Sequence, residues 1–211
     1  MPERLIMTEK KKLMYKKYQN SGILRAYWDV ELDDYEGDQE ALVCSKKYVN
    51  KFDAAYKNGI GMYLHGGFGT GKTMLVNCVL KNAIHTGKYS VHFTTLSELM
   101  GKFEDRFSPA SKLFINKIKN VSFLGIDDIG KEYRNDSGFV EAKFNDVIRY
   151  RNMSNYPTLL TSNKAPDELK EYGQSIYSII KGFCVVVFVK GRDYRIEHIS
   201  REIDNIINSE E

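Results

Sequence analysis

Residues 66–73 of the chain read GGFGTGKT. Gly66, Gly67, Phe68, Gly69, Thr70, Gly71, Lys72 and Thr73 fit the phosphate-binding loop pattern: a glycine, four variable positions, then Gly-Lys-Thr. Glycines let the backbone curl until several N–H groups point inward at one phosphate. A lysine at position 72 reaches the β- and γ-phosphates as a point charge, and the Thr73 hydroxyl suits Mg²⁺. The positive end of the following helix adds to the attraction. A second chemical element lies downstream, where the apolar run VSFLGI ends in Asp127-Asp128. An apolar strand that delivers a carboxylate to the sheet edge is the usual support for the Mg²⁺ shell, a role that falls to Asp127. Asp128 is then in position to polarise an attacking water. Its side chain is shorter than the glutamate more usual there. The run PTLLT ends in Ser162-Asn163, and an amide at a strand tip can contact the γ-phosphate or the water. Each has a plainer use as well: aspartates before Gly130 and an asparagine ahead of Pro166 also suit turns.

These groups need a scaffold, and the flanking sequence supplies one. Ile60–Leu64 (IGMYL) is short and apolar enough for a buried strand. After the loop, Leu75, Val79 and Ala83, with Val76, Leu80 and Ile84 beside them, repeat every four residues until Gly87 stops the helix. Strand, glycine loop and helix in succession is the context that gives the motif its meaning. Ala41–Lys57 has the spacing of a helix, Tyr89–Thr94 of a strand and Leu96–Phe107 of a helix. Val121–Ile126 reads as a buried strand and Phe139–Arg151 as a helix. Pro157–Thr161 reads as a strand with proline tolerated at its first position, Asp167–Lys181 as a helix, and Cys184–Val189 as the last strand. Strands alternating with helices imply a parallel sheet covered on both faces.

The chain has 211 residues, 42% hydrophobic and 28% charged, which suits one domain with a sizeable core. A net charge of +3 is compatible with nucleic acid without demanding it. Cys44, Cys78 and Cys184 lie far apart with no CxxC pair, which argues against a zinc site or disulfide framework and fits a reducing cytoplasm. The start, MPERLIMTEKKK, is charged where a signal peptide needs an apolar stretch, and the longest apolar run, Phe183–Val189, is too short to span a bilayer. No membrane association and a cytoplasmic location are expected. Residues 1–40 read as a basic arm followed by an acidic connector, and 41–211 as the core. In the arm, Lys10, Lys11, Lys12, Lys16 and Lys17 accompany Ile6, Leu13, Met14 and Tyr18, which share one helical stripe. A solvated terminus is the commoner use of such a run, and a docking arm for a protein or DNA is the alternative. Glu31–Glu40 (ELDDYEGDQE) reads as an exposed connection. Lys112, Lys117 and Lys119 around Phe114 and Ile118 read as a solvated helix with a buried face, the alternative being a track for a phosphate backbone.

The order GGFGTGKT, FLGIDDIGKE, YPTLLTSN and KGRDYR resembles the AAA+ ATPases that load bacterial replicative helicases, the DnaC/DnaI-like group, many of them carried by phages and mobile elements. IstB-like transposition helper ATPases are close relatives of that group. The similarity runs from about residue 45 to 197; the phosphate loop marks only the superfamily, whereas DDIG followed by TSN is more specific. The resemblance implies an α/β P-loop fold of AAA+ type: a five-stranded parallel sheet flanked by helices, without the usual C-terminal helical lid. It implies ATP and Mg²⁺ as cofactors, and a hexameric replicative helicase and single-stranded DNA as partners. Lys72 and Thr73 carry over as the loop pair, Asp127 and Asp128 as the acidic pair, and Asn163 as the polar sensor. Two departures stand out. Only residues 1–40 precede the core, where the group usually has a helicase-binding domain. In the helix after the sensor the group shows two arginines four apart, one of them acting on a neighbouring subunit's nucleotide, and here those positions fall on Ser175 and Ile179. A trans-acting arginine is worth roughly 10³–10⁵ in rate in related chemistry, so slow hydrolysis and weak ATP-driven self-association are expected. Arg149, Arg151, Arg192 and Arg195 are the possible substitutes, with surface or packing roles the plainer reading. The leading function is an ATP-binding helicase loader, with a transposition helper or a non-hydrolysing adaptor of the host loading system as alternatives.

Overall fold

The computed structural model describes residues 8–130 and 138–194. In chain order the helices and strands are α1 (Glu9–Asn20), α2 (Gln39–Val49), α3 (Phe52–Lys57), β1 (Gly61–His65), α4 (Lys72–His85), β2 (Val91–Thr95), α5 (Leu96–Glu104), α6 (Pro109–Asn120), β3 (Phe123–Ile129), α7 (Phe139–Met153), β4 (Thr158–Ser162), α8 (Gln174–Phe183) and β5 (Cys184–Phe188). The five strands form one sheet in the order β2-β3-β4-β1-β5, every pairing parallel. Parallel strands need crossover connections, and helices on both faces supply them.

Two apolar layers sandwich the sheet. One centres on α4, whose Leu75, Val76, Val79, Leu80 and Ala83 are almost wholly buried against Met62, Leu64 and Phe123. The other joins Leu99 and Phe103 of α5, Ile118 of α6, Phe144, Val147 and Ile148 of α7, and Ile176 and Ile180 of α8. β3 and β4 are covered on both sides, so burial runs almost unbroken along both strands without alternation. Among the described residues no helix is long and apolar enough to cross a membrane.

The element boundaries differ from the sequence expectation in four instructive places. The helix expected over 41–57 is two helices, because the chain leaves helical geometry at Lys51 (φ −122°, ψ 21°) and re-enters to bury Phe52 and Ala55. The helix expected over 167–181 is a 3₁₀ segment, Pro166–Tyr172, then α8; Gly173 at φ 105° breaks the run. β3 does not stop at Ile126 but carries the acidic pair within it, to Ile129.

The fourth difference is the acidic stretch after the arm. Expected as exposed, it buries Leu32 and Tyr35 in the α4 layer and forms a short 3₁₀ turn at Leu32–Asp34. Its acids point outward while the apolar residues between them point in. Lys81 of α4, itself fully buried, fixes this strap by donating to the Tyr27 and Val30 carbonyls at 3.0 and 2.5 Å and pairing with Glu31 at 3.0 Å. The basic helix α1 is anchored too. Tyr18 is buried and bonds His85, while the Asn20 carbonyl accepts from Lys117 of α6 at 2.6 Å. Leu13 stays exposed, and Ile6 lies outside the described residues. The basic segment around Phe114 belongs to α6, with Ser111 and Ile118 buried.

Candidate active site

The phosphate loop leaves the C-terminal end of β1 and enters α4, so all N–H groups of the first helical turn face the loop. Gly71 caps the helix at φ 85° and Gly69 sits at φ 65°, backbone that side chains with a Cβ rarely adopt. Neither has room for one: a Cβ on Gly71 would lie 2.5 Å from the Tyr35 ring, and on Gly69 1.7 Å from the Asp193 carboxylate. Thr70 closes the loop on itself, its hydroxyl donating to the Gly67 carbonyl at 3.1 Å. Phe68 is 61% exposed at the loop's tip.

Lys72 is buried beneath this loop and donates to the Gly66 and Gly67 carbonyls at 3.0 and 2.5 Å. Its ammonium is thus held where the loop's concavity forms, on carbonyls it can exchange for stronger anionic acceptors. One turn on, the Thr73 hydroxyl donates to both oxygens of Asp127 at 3.0 Å. Asp127 lies on β3, two strands away from β1, and is itself 95% removed from solvent, with 5% exposure. The hydroxyl and carboxylate that the sequence assigned to one metal shell therefore meet. Hard oxygen donors of this kind suit Mg²⁺ rather than a soft metal.

β4 runs between β3 and β1 and brings Asn163 to the same edge. Its Nδ2 is buried with no hydrogen-bond partner among the described residues, a costly arrangement unless an acceptor from elsewhere receives its N–H. Asp128 sits beside Asp127 in left-handed backbone at φ 61°. At the end of β1, burial holds the His65 pKa below its ordinary value, with Lys72 acting in the same direction and Glu168 against it.

Sequence reasoning missed four contributors. Tyr35 of the strap donates to the Thr70 carbonyl at 2.7 Å, and burial pushes its pKa up to about 12. Tyr194 donates its backbone N–H to the Gly69 carbonyl at 3.1 Å, so segments on either side of the core in sequence both hold the loop. Asp38 ties them together, accepting from the Lys190 N–H at 2.8 Å. Thr161 of β4 donates to Asp127 and accepts the Asp128 N–H at 3.0 Å. Only the first had a sequence signal, an aromatic residue inside an acidic run.

The arginines sort by place. Arg151 is wholly buried, bonded to the carbonyls of Ile118, Val121 and Pro157 at the opposite end of the sheet, and so has a packing role. Arg149 is exposed on α7, and Arg192 lies 5.7 Å from the Tyr194 ring. Arg195 lies outside the described residues, as does the stretch where a lid would follow. On α8, Ile179 packs against the second apolar layer and Ser175 is half-buried.

Fold and loop together define an α/β fold of P-loop NTPase type. The family model of the AFG1-like ATPases matches residues 24–210, and the chain belongs to that family. It is also similar to the replicative helicase loader DnaI of Bacillus subtilis (strain 168), 28% identical over 130 residues, which are 60% of this chain and 41% of that protein. The chain spans about half or less of the length of the curated relatives it matches. Among solved structures it superposes on the DnaC helicase loader with a TM-score of 0.70 at 22% identity, covering 79% of this chain and 100% of that one. It superposes on the replication initiator DnaA bound to AMPPCP and single-stranded DNA with a TM-score of 0.65 at 19% identity, covering 89% and 57%.

Proposed function

We propose that the chain is an ATP-binding replication accessory protein that engages a hexameric replicative helicase and helps place it on single-stranded DNA, with weak intrinsic ATPase activity. The observation that carries the reading is the Thr73–Asp127 pair, a hydroxyl and a carboxylate from different elements brought to 3.0 Å beside the phosphate loop. The similarity to DnaI supports the choice of partner. ATP with Mg²⁺ fits the residues present. Lys72 takes the β- and γ-phosphates, the loop N–H groups cradle them, and Thr73 and Asp127 hold the cation through oxygen. Bound Mg²⁺ would neutralise phosphate charge. The unpartnered Asn163 Nδ2 supplies a donor toward the γ-phosphate or the water, and Asp128 accepts a proton from that water.

The test is a fluorescent ATP-analogue titration paired with a loading assay on circular single-stranded DNA. Lys72→Ala is expected to abolish both nucleotide binding and loading; full loading by the variant would remove the mechanism. A second reading, a nucleotide-locked adaptor that occupies the loading system without turnover, is favoured by one observation. Ile179, where an arginine would act, packs into the apolar layer.

A further inference from the structure

Asp127 and Asp128 do not lie in a regular strand. Across β3 and β4, Ile126 pairs with Leu160 and Ile129 with Ser162, so the two aspartates between them oppose the single residue Thr161. Two residues facing one is a β-bulge, a device that re-aims side chains at the cost of ladder hydrogen bonds. The second bulge residue, Asp128, pays in backbone conformation as well: φ 61° costs an L-residue with a Cβ roughly 1 kcal/mol or more.

One hydroxyl compensates both losses. Thr161 is 1% exposed, and its Oγ1 accepts the Asp128 N–H at 3.0 Å, replacing the ladder bond the bulge removes. The same oxygen donates its only proton to Oδ1 of Asp127. Thr73 donates to both oxygens of the same carboxylate, so two hydroxyls restrain its rotation. We infer that Thr161 is a positioning residue for the acidic pair: its hydroxyl fixes the Asp127 carboxylate for the cation and holds the left-handed turn that aims Asp128. The inference rests on the nucleotide reading above, and concerns a residue that touches neither phosphate nor water itself.

Two variants separate the hydroxyl from the bulk of the side chain. Thr161→Val keeps the shape and removes the bond; Thr161→Ser keeps the bond and removes the methyl. With a fluorescent ATP analogue titrated at a series of Mg²⁺ concentrations, Thr161→Val is expected to bind like wild type without Mg²⁺. The Mg²⁺ concentration at half-effect should rise by about tenfold or more, the usual consequence of removing a group that orients a metal ligand. Thr161→Ser should restore it. A mere packing role would shift thermal stability and leave the Mg²⁺ dependence alone. A wild-type Mg²⁺ profile in Thr161→Val, or a serine variant as defective as the valine, overturns the inference. Amide exchange in the nucleotide-free protein gives a second readout. The Asp128 N–H should exchange faster in Thr161→Val than in Thr161→Ser, and equal rates would mean the hydroxyl does not hold the bulge. If wild type binds no nucleotide, the positioning role falls together with the nucleotide reading. Nucleotide binding with an unaltered Mg²⁺ profile sinks Thr161 alone.

Discussion

Arg151 shows how a charged residue becomes structural. It enters from the last turn of α7 and is completely shielded from water. Its guanidinium donates to the carbonyls of Ile118 at 2.7 Å, Val121 at 2.9 Å and Pro157 at 2.8 Å, and to the Thr158 hydroxyl at 2.9 Å. One planar fork thus ties the end of α6, the approach to β3 and the start of β4. Replacement by methionine fills most of the volume but takes the guanidinium donors from the Ile118 and Val121 carbonyls and leaves Pro157 with only the Leu124 N–H, at 3.3 Å. Arg151→Met is expected to lower stability by about 3 kcal/mol, read from a urea unfolding midpoint. Because Arg151 lies at the end of the sheet away from Asp127, nucleotide affinity of the folded variant should match wild type. A selective loss of affinity with unchanged stability would place Arg151 in the site instead. From sequence it was one arginine among four of equal standing, since helical spacing does not say which side of α7 meets carbonyls.

At the scale of elements, the junction of α1, β2 and α6 carries a consequence for pH. His92 lies on β2, its ring 5.4 Å from Phe114 of α6 and edge-on to it. The turn after α1 covers the strand beside it, the Phe93 N–H donating to the Ser21 carbonyl at 2.8 Å. The His92 Nδ1 is buried with no hydrogen-bond partner among the described residues. Burial, with Lys117 acting in the same direction, pushes its pKa down from 6.5 to about 4. Between those values the unfolded chain holds a proton that the folded one refuses, so stability is present above 6.5 and is lost as pH falls toward 4. By pH 5 this single group removes about 2 kcal/mol. His65 and His85 are shifted in the same direction by burial and steepen the slope. His92→Phe should flatten the loss between pH 7.5 and pH 5 in urea unfolding; a variant with the wild-type slope would show that the ring is solvated. The same elements illustrate what a sequence discloses. β2, β3 and β4 were legible because each carries a short apolar or β-branched run bounded by turn residues, and α4 because its repeat follows a glycine loop. The attachment of α1 and the strap was not legible. Lys81 and Tyr35 act over distances of 50 and 35 residues, and no local pattern encodes their partners. Thr161 was hidden for another reason: every residue of β4 is buried, so nothing marked its hydroxyl as facing the bulge.

For the whole molecule, the question is how a site so well provided for binding is provided for turnover. Lys72 and Thr73 of the loop and α4 meet Asp127 of β3, Asn163 follows β4 at the same edge of the sheet, and the strap and the segment through Tyr194 hold the loop from two sides. On the proposed reading, a cationic group aimed at the γ-phosphate from outside is a separate requirement, and at the two α8 positions where the helicase-loader resemblance places arginines this chain has Ser175 and Ile179. Hydrolysis by the isolated protein is therefore expected to be slow, by roughly the 10³–10⁵ that such an arginine contributes elsewhere. Restoring it at the same place should fail. Ile179 is half-buried against the second apolar layer, so an arginine there gives up that apolar contact and must run its stem over the layer to reach water. Ile179→Arg is expected to lose stability, by about 2 kcal/mol or more, without gaining activity. Steady-state phosphate release separates the possibilities when measured for the protein alone, then with single-stranded DNA and a replicative helicase. Turnover that rises only with both partners means that the assembly supplies the missing charge. Tight nucleotide binding with no turnover under any condition would make ATP a structural ligand and the protein an adaptor. A fast isolated enzyme would point to Arg192, two residues before Tyr194 and its bond to the phosphate loop, and Arg192→Ala would then slow it.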